Sequence, residues 1–263
     1  MPVCITGMHR SGTSLVANLL SLCGLYLGKE EDLMPATVDN PKGYWENREF
    51  LVLNNEVLAE LGGDWESLPA THEGWAEEAR LHTLRARAEI LLRDFDGHEP
   101  WGWKDPRTSL TLPFWMSLNG LRVPFWLGVA PRLRIVLCLR NPLEVSRSLS
   151  TRKFSPNSAG LDLWLLYNRG VLNATLPEDR IVTHYEAYFR DPRAELRRVL
   201  AFLEMPISEA RIDSASAIVS DILHRHRLKP EHLHEESMSS EVLDLYQNMC
   251  HEANYLEPFG INN

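Results

Sequence analysis

Apolar residues follow two rhythms along this chain. Continuous apolar runs occur at PVCIT (2–6), RIVLCLR (134–140) and RIVTHY (180–185), with a shorter one at Trp101 to Lys104. Such runs, without polar alternation, predict strands buried on both faces, as in a parallel sheet. Between them the spacing turns helical. Leu15, Val16, Leu19, Leu20, Leu22 and Cys23 form one stripe, which predicts a helix over 13–27 ended by Gly24 and Gly28. A polar stretch rich in turn residues follows at 32–48. Helices are then predicted over 48–61, through Leu51, Leu53, Val57, Leu58 and Leu61, and over 76–93, through Leu81, Leu84, Ala88 and Leu91.

Two later helices announce their own starts. Asn141-Pro142-Leu143-Glu144 supplies an Asn cap, a proline in the first helical position and a glutamate three residues after the cap. Asp191-Pro192 opens a helix whose core face is Leu196, Val199, Leu200 and Leu203. From about residue 207 the chain is polar and histidine-rich, with weaker helical patterns. Strands alternating with helices predict an α/β fold: a single domain with a central parallel β-sheet flanked by helices. The 263 residues fit one such domain, with an α/β core over 1–206 and a helical C-terminal segment over 207–263. There is no internal repeat and no low-complexity linker.

Composition narrows the function. A net charge of −9 argues against nucleic acid as a partner, although a small anion needs only a few local charges. Cys4, Cys23, Cys138 and Cys250 show no metal-ligand spacing and read as buried, reduced thiols, which favours a cytoplasmic setting. The most apolar stretch, LVANLLSLCGLYLG, contains Asn18 and Ser21 and is too short to span a bilayer. Asn173-Ala174-Thr175 matches a glycosylation acceptor, a motif short enough to arise by chance.

The candidate chemistry starts at GMHRSGTS, Gly7 to Ser14. A strand, a glycine turn and a helix N-terminus together make an anion site: backbone N–H groups point at the anion and the helix dipole favours it. The nucleoside-triphosphate loop of this spacing ends Gly-Lys-Ser/Thr. Here Gly12-Thr13-Ser14 takes that place, and the charge stands earlier, at Arg10. The clearest later strand ends in Arg140 rather than in a metal-binding aspartate.

These residues resemble those of the sulfotransferases that use 3′-phosphoadenosine 5′-phosphosulfate (PAPS). GMHRSGTSL is similar to that family's 5′-phosphosulfate loop, and LCLRNPLEVSRSL to its second motif, a strand-end Arg with a Ser eight residues later. The resemblance implies a P-loop nucleotide-kinase-like sulfotransferase fold. It also implies donor binding by Arg10, Ser11, Gly12, Thr13 and Ser14, with Arg140 and Ser148 on the 3′-phosphate. THYEAYFRDP is a third, weaker match that brings Tyr185 near the nucleotide; a buried strand-end tyrosine is the alternative. The implied donor is PAPS, the spent product adenosine 3′,5′-bisphosphate (PAP), and no metal is required.

The chemistry needs a base for the acceptor proton and donors for charge on the leaving phosphate. The family's cytosolic branch uses a Lys-x-His sequence; this chain has Lys104-Asp105-Pro106, so the histidine is missing. That departure makes it more similar to the branches with a glutamate base. Glu46, in NPKGYWEN, is the leading base candidate, with Glu49 behind it, and a solvated loop glutamate is the alternative. Lys104 and Arg10 are expected to stabilise the transition state, while Asp105 and Arg107 orient the site, paired as a salt bridge. Trp45, Trp101, Trp103 and Trp115 read equally as an acceptor platform or as core. His224, His226, His232 and His234 read as a solvated segment rather than a metal site, and Arg225, Arg227 or Lys229 as a basic segment closing over the 3′-phosphate. The expected acceptor is a small-molecule, carbohydrate or lipid hydroxyl. The competing readings are a P-loop kinase using ATP and magnesium, and a catalytically inactive nucleotide-binding scaffold.

Overall fold

The computed structural model describes all residues except 38–42, 68–70, 119–120, 122–132, 154–156, 220–237 and 257–263. Four parallel strands form one sheet in the order β2-β1-β3-β4: β1 (Pro2–Thr6), β2 (Trp101–Lys104), β3 (Arg134–Leu139) and β4 (Arg180–His184). All four apolar runs are strands. Within them alternate side chains go to opposite layers. Cys4, Trp103, Ile135, Leu137 and Leu139 enter one core, and Val3, Ile5, Val136 and Cys138 the other.

Helices cover both faces. They are α1 (Thr13–Leu22), α2 (Arg48–Glu60), α3 (His82–Arg93), α4 (Thr108–Met116), α5 (Pro142–Lys153), α6 (Asn157–Ala174), α7 (Ala187–Arg190), α8 (Pro192–Phe202), α9 (Glu209–Ser216) and α10 (Ser240–Glu252). Helix α1 stops earlier than its stripe predicts, because Gly24 at φ +110 turns the chain out. The predicted helix at 76 begins as two 3₁₀ turns, Trp75–Glu77 and Ala79–Leu81, before α3 proper. The Asn cap holds: Asn141 Oδ1 accepts from Leu143 N at 3.0 Å. Glu144, expected to complete a capping box, instead accepts from Arg140 Nε at 2.8 Å. Asp191 caps α8 through Ala194 N.

Helices α4 and α6 were not legible in the sequence. Buried Thr108, Ser109 and Thr111 break the apolar stripe of α4, and α6 packs against both α4 and α5. Helix α10 joins the larger core through Val242, Tyr246 and Met249. No helix among the described residues is long and apolar enough to cross a membrane.

Candidate active site

A parallel sheet directs all its strand ends to one side, where the connecting loops meet. Each strand of this sheet delivers one of the candidate residues there. β1 leads into Gly7–Ser14, β2 ends on Lys104, β3 is followed by Arg140, and β4 by Tyr185.

The loop is tightly constrained. Gly7 at φ +137 and Gly12 at φ +89 lie in the region that disfavours L side chains, and a Cβ at either would run into the Cys138 carbonyl or the Tyr185 ring. Arg10, which has a Cβ, is also held in the left-handed region, at φ +72. Two contacts hold it there. Its carbonyl accepts from Arg140 Nη1 at 3.2 Å, and its Nε donates to Ser148 Oγ at 2.8 Å. The loop motif and the Arg140/Ser148 motif therefore touch directly. Arg140 is buried, its guanidinium carbon lies 4.4 Å from the Tyr185 ring centre, and Glu144 fixes its Nε. Burial pushes the Tyr185 phenol up to about 12, with Arg140 opposing, so the phenol stays protonated. Ser11 contributes a buried hydroxyl with no hydrogen-bond partner.

Lys104 and Glu46 form a second centre. Lys104 Nζ lies 2.6 Å from Glu46 Oε1, and their side chains are only 2% and 9% exposed. The ammonium also donates to Tyr44 O at 3.1 Å and to Ser14 Oγ at 3.2 Å, so all three of its donors are engaged. Ser14 Oγ in turn donates to Tyr44 O at 3.2 Å, which ties the loop to the segment carrying Glu46. Trp45 beside it is left-handed, at φ +61. Glu49, by contrast, is exposed on α2.

Beneath this pair lies a buried polar network. Asp105 Oδ1 accepts from Arg107 N and Nη1, at 2.9 and 3.0 Å, which forms the expected salt bridge. Asp105 Oδ2 accepts from Asn54 Nδ2 at 2.9 Å. Burial pushes the Asp105 carboxyl up, the Arg107 guanidinium pulls it down, and the Glu46 charge raises it further. Asn54 is saturated. It donates also to Thr108 Oγ1 and accepts from Thr111 Oγ1 and Trp115 Nε1, at 3.1, 2.5 and 2.8 Å. Sequence reasoning missed Asn54. Its one visible signal was an asparagine on the apolar side of a helix, between Leu53 and Val57.

The tryptophans divide. Trp101, Trp103 and Trp115 are core residues, with Phe50 stacked on Trp103 at 4.8 Å, so they offer no acceptor platform. Trp45 remains half-buried beside the site. His224, Arg225, His226, Arg227, Lys229, His232 and His234 lie outside the described residues. Among the described residues no group of three or more His, Cys, Asp or Glu is placed to hold a metal ion.

No curated protein sequence matches the chain. Among solved structures, the sulfotransferase domain from the curacin biosynthetic pathway aligns with a TM-score of 0.54 at 14% identity, covering 98% of this chain and 99% of that one. A sulfotransferase from Mycobacterium avium aligns with a TM-score of 0.52 at 16% identity, covering 99% and 77%. At such identities the likeness is one of fold. The model of the sulfotransferase family matches residues 2–209, a span that contains all four strands and every residue of the site just described. By that match, the chain belongs to the sulfotransferase family.

Proposed function

We propose that this protein transfers the sulfuryl group of PAPS to a hydroxyl of a small-molecule, carbohydrate or lipid acceptor, in the cytoplasm and without a metal. The observation that carries the reading is the convergence of two anion-binding motifs on one point, through the Arg140–Arg10–Ser148 contacts. A nucleotide with a 3′-phosphate and a separate 5′-phosphosulfate needs two such motifs.

The residues fit the donor. The unpartnered, buried Ser11 hydroxyl is costly to leave unpaired and suits a phosphate oxygen. With Gly12, Thr13, Ser14 and Arg10 it would hold the 5′-phosphosulfate end, while Arg140 and Ser148 would hold the 3′-phosphate and Tyr185 would wall the nucleotide. Bound PAPS supplies an activated sulfuryl group.

The chain's own chemistry then centres on the buried ion pair. Glu46 accepts the proton of the acceptor hydroxyl. Protonation removes the negative half of the pair, so the Lys104 charge becomes uncompensated as charge builds on the leaving oxygen. Lys104 and Arg10 stabilise that charge. The four cysteines are free and buried, consistent with a reducing compartment.

Titration with PAP tests the donor assignment. PAP should raise the melting temperature, by about 2.7 kcal/mol of added stability at a hundredfold excess over Kd. Stabilisation by ATP with magnesium and not by PAP would refute it. Transfer of label from 35S-PAPS to an acceptor panel then separates an enzyme from a nucleotide-binding scaffold.

A further inference from the structure

A further cation stands on the β2 side of the site. Arg107 follows the Lys104–Asp105–Pro106 turn, and its side chain is 15% exposed. Asp105 engages only Nη1, which fixes the guanidinium plane. Arg107 Nε is buried and has no hydrogen-bond partner. The edge formed by Nε and Nη2 is the side-on fork that pairs with two oxygens of a carboxylate.

The support beneath this fork is elaborate for a salt bridge. Asn54 holds Asp105, Asp105 holds both the backbone N–H and Nη1 of Arg107, and Thr111 and Trp115 hold Asn54. Asp105 is fully buried, so its second oxygen needs a partner of its own. The same contacts hold the Arg107 guanidinium plane in one orientation, as a preorganised recognition group requires.

Position decides what the fork faces. The sheet order β2-β1-β3-β4 places Arg140, Ser148 and Tyr185 on the far side of the loop from β2. Arg107 lies on the other side, held by Asp105 on the turn that follows Lys104, the partner of Glu46. Tyr167 donates to Trp65 O at 2.7 Å, and the His9 ring of the loop packs against Trp65 and Tyr167 at 4.7 and 5.7 Å. His9 and Trp65 are half-buried and Tyr167 is fully buried.

We propose that the Nε edge of Arg107 binds a carboxylate of the acceptor, so that the acceptor is a hydroxy acid whose acid group seats on Arg107 while its hydroxyl meets Glu46. The proposal rests on the sulfotransferase reading for the role of Glu46, but the oxyanion site itself does not.

The test uses the full chain and the nitrogen-15 signal of the Arg107 Nε–H, assigned by its absence in Arg107→Lys. Acetate should move that signal downfield and saturably; acetamide at matched ionic strength should not. An unmoved signal, or equal movement with acetamide, overturns the site. With PAPS as donor, 3-hydroxybutanoate should exceed 3-hydroxybutanamide in kcat/KM by about tenfold or more. In Arg107→Gln that ratio should collapse toward one while PAP affinity stays unchanged. If Arg107→Gln instead weakens PAP binding and keeps the acid preference, Arg107 serves the donor and the proposal fails. If PAP does not bind the wild type, the donor reading fails, and the acetate titration still decides the site.

Discussion

Glu46 and Lys104 neutralise each other at 2.6 Å, deep enough that breaking the pair leaves a buried charge. Glu46→Gln keeps the shape and removes the base. It should lower kcat about 10²- to 10⁴-fold and leave PAP affinity within about twofold, read by initial rates and calorimetry. A wild-type rate in this variant would remove Glu46 from the mechanism. Arg140 is assigned to the 3′-phosphate, so Arg140→Ala should weaken PAP binding by about tenfold or more and leave adenosine 5′-monophosphate nearly unaffected. Equal losses for both nucleotides would move Arg140 to the 5′ side. The residue types in GMHRSGTS and LCLRNPLEVSRSL were enough to nominate Arg10, Ser11, Ser14, Arg140 and Ser148 from the sequence. That Arg10 Nε touches Ser148 Oγ was not, because the contact depends on the left-handed backbone at Arg10.

At the scale of elements, two bridges dock α2 and the segment before it onto the β2–α4 turn: Glu46 to Lys104 and Asn54 to Asp105. In the proposed reaction the first changes during turnover, while the second keeps the two parts in register. Asn54→Ala takes the partner from buried Asp105 Oδ2 and Trp115 Nε1 and one hydrogen bond each from Thr108 and Thr111. It should cost about 3 kcal/mol in urea unfolding, the sum of a few unsatisfied polar groups. A loss under about 0.5 kcal/mol, typical of surface changes, would mean that the network relaxes freely. Strands and the capped helices α5 and α8 were legible because each carries its signal locally, in apolar runs or in Asn-Pro and Asp-Pro starts. Helices α4 and α6 were not. The polar residues of α4 are buried because Asn54 of α2 satisfies Thr108 and Thr111 and the end of β1 satisfies Ser109, and those partners are distant in the chain.

At the scale of the whole molecule, His184 joins β4 to the C-terminal part. It is fully buried, stacks on Tyr255 at 3.8 Å and lies 3.1 Å from Tyr246 OH of α10, and its Nδ1 accepts from Glu186 N. Burial, then the charges of Arg140 and Arg190, lowers its pKa to about 3. The unfolded chain takes up this proton near pH 6.5 and the folded chain does not, so stability is lost as pH falls from about 6.5 toward 3, by about 1.4 kcal/mol per pH unit. Urea midpoints across that range should fall more steeply in the wild type than in His184→Gln, by one proton's slope; parallel curves would mean the imidazole is not held neutral. By itself, the sequence determined the four strands, the α/β class, the phosphate loop and the second basic motif, because apolar runs and glycine turns act locally. Tertiary structure alone decided that Arg10 meets Ser148, that Lys104 closes on Glu46, that three tryptophans are core, and that Arg107 keeps one edge unpaired. Those facts depend on which distant groups the parallel sheet brings to its strand ends, and burial there sets what each charge must find.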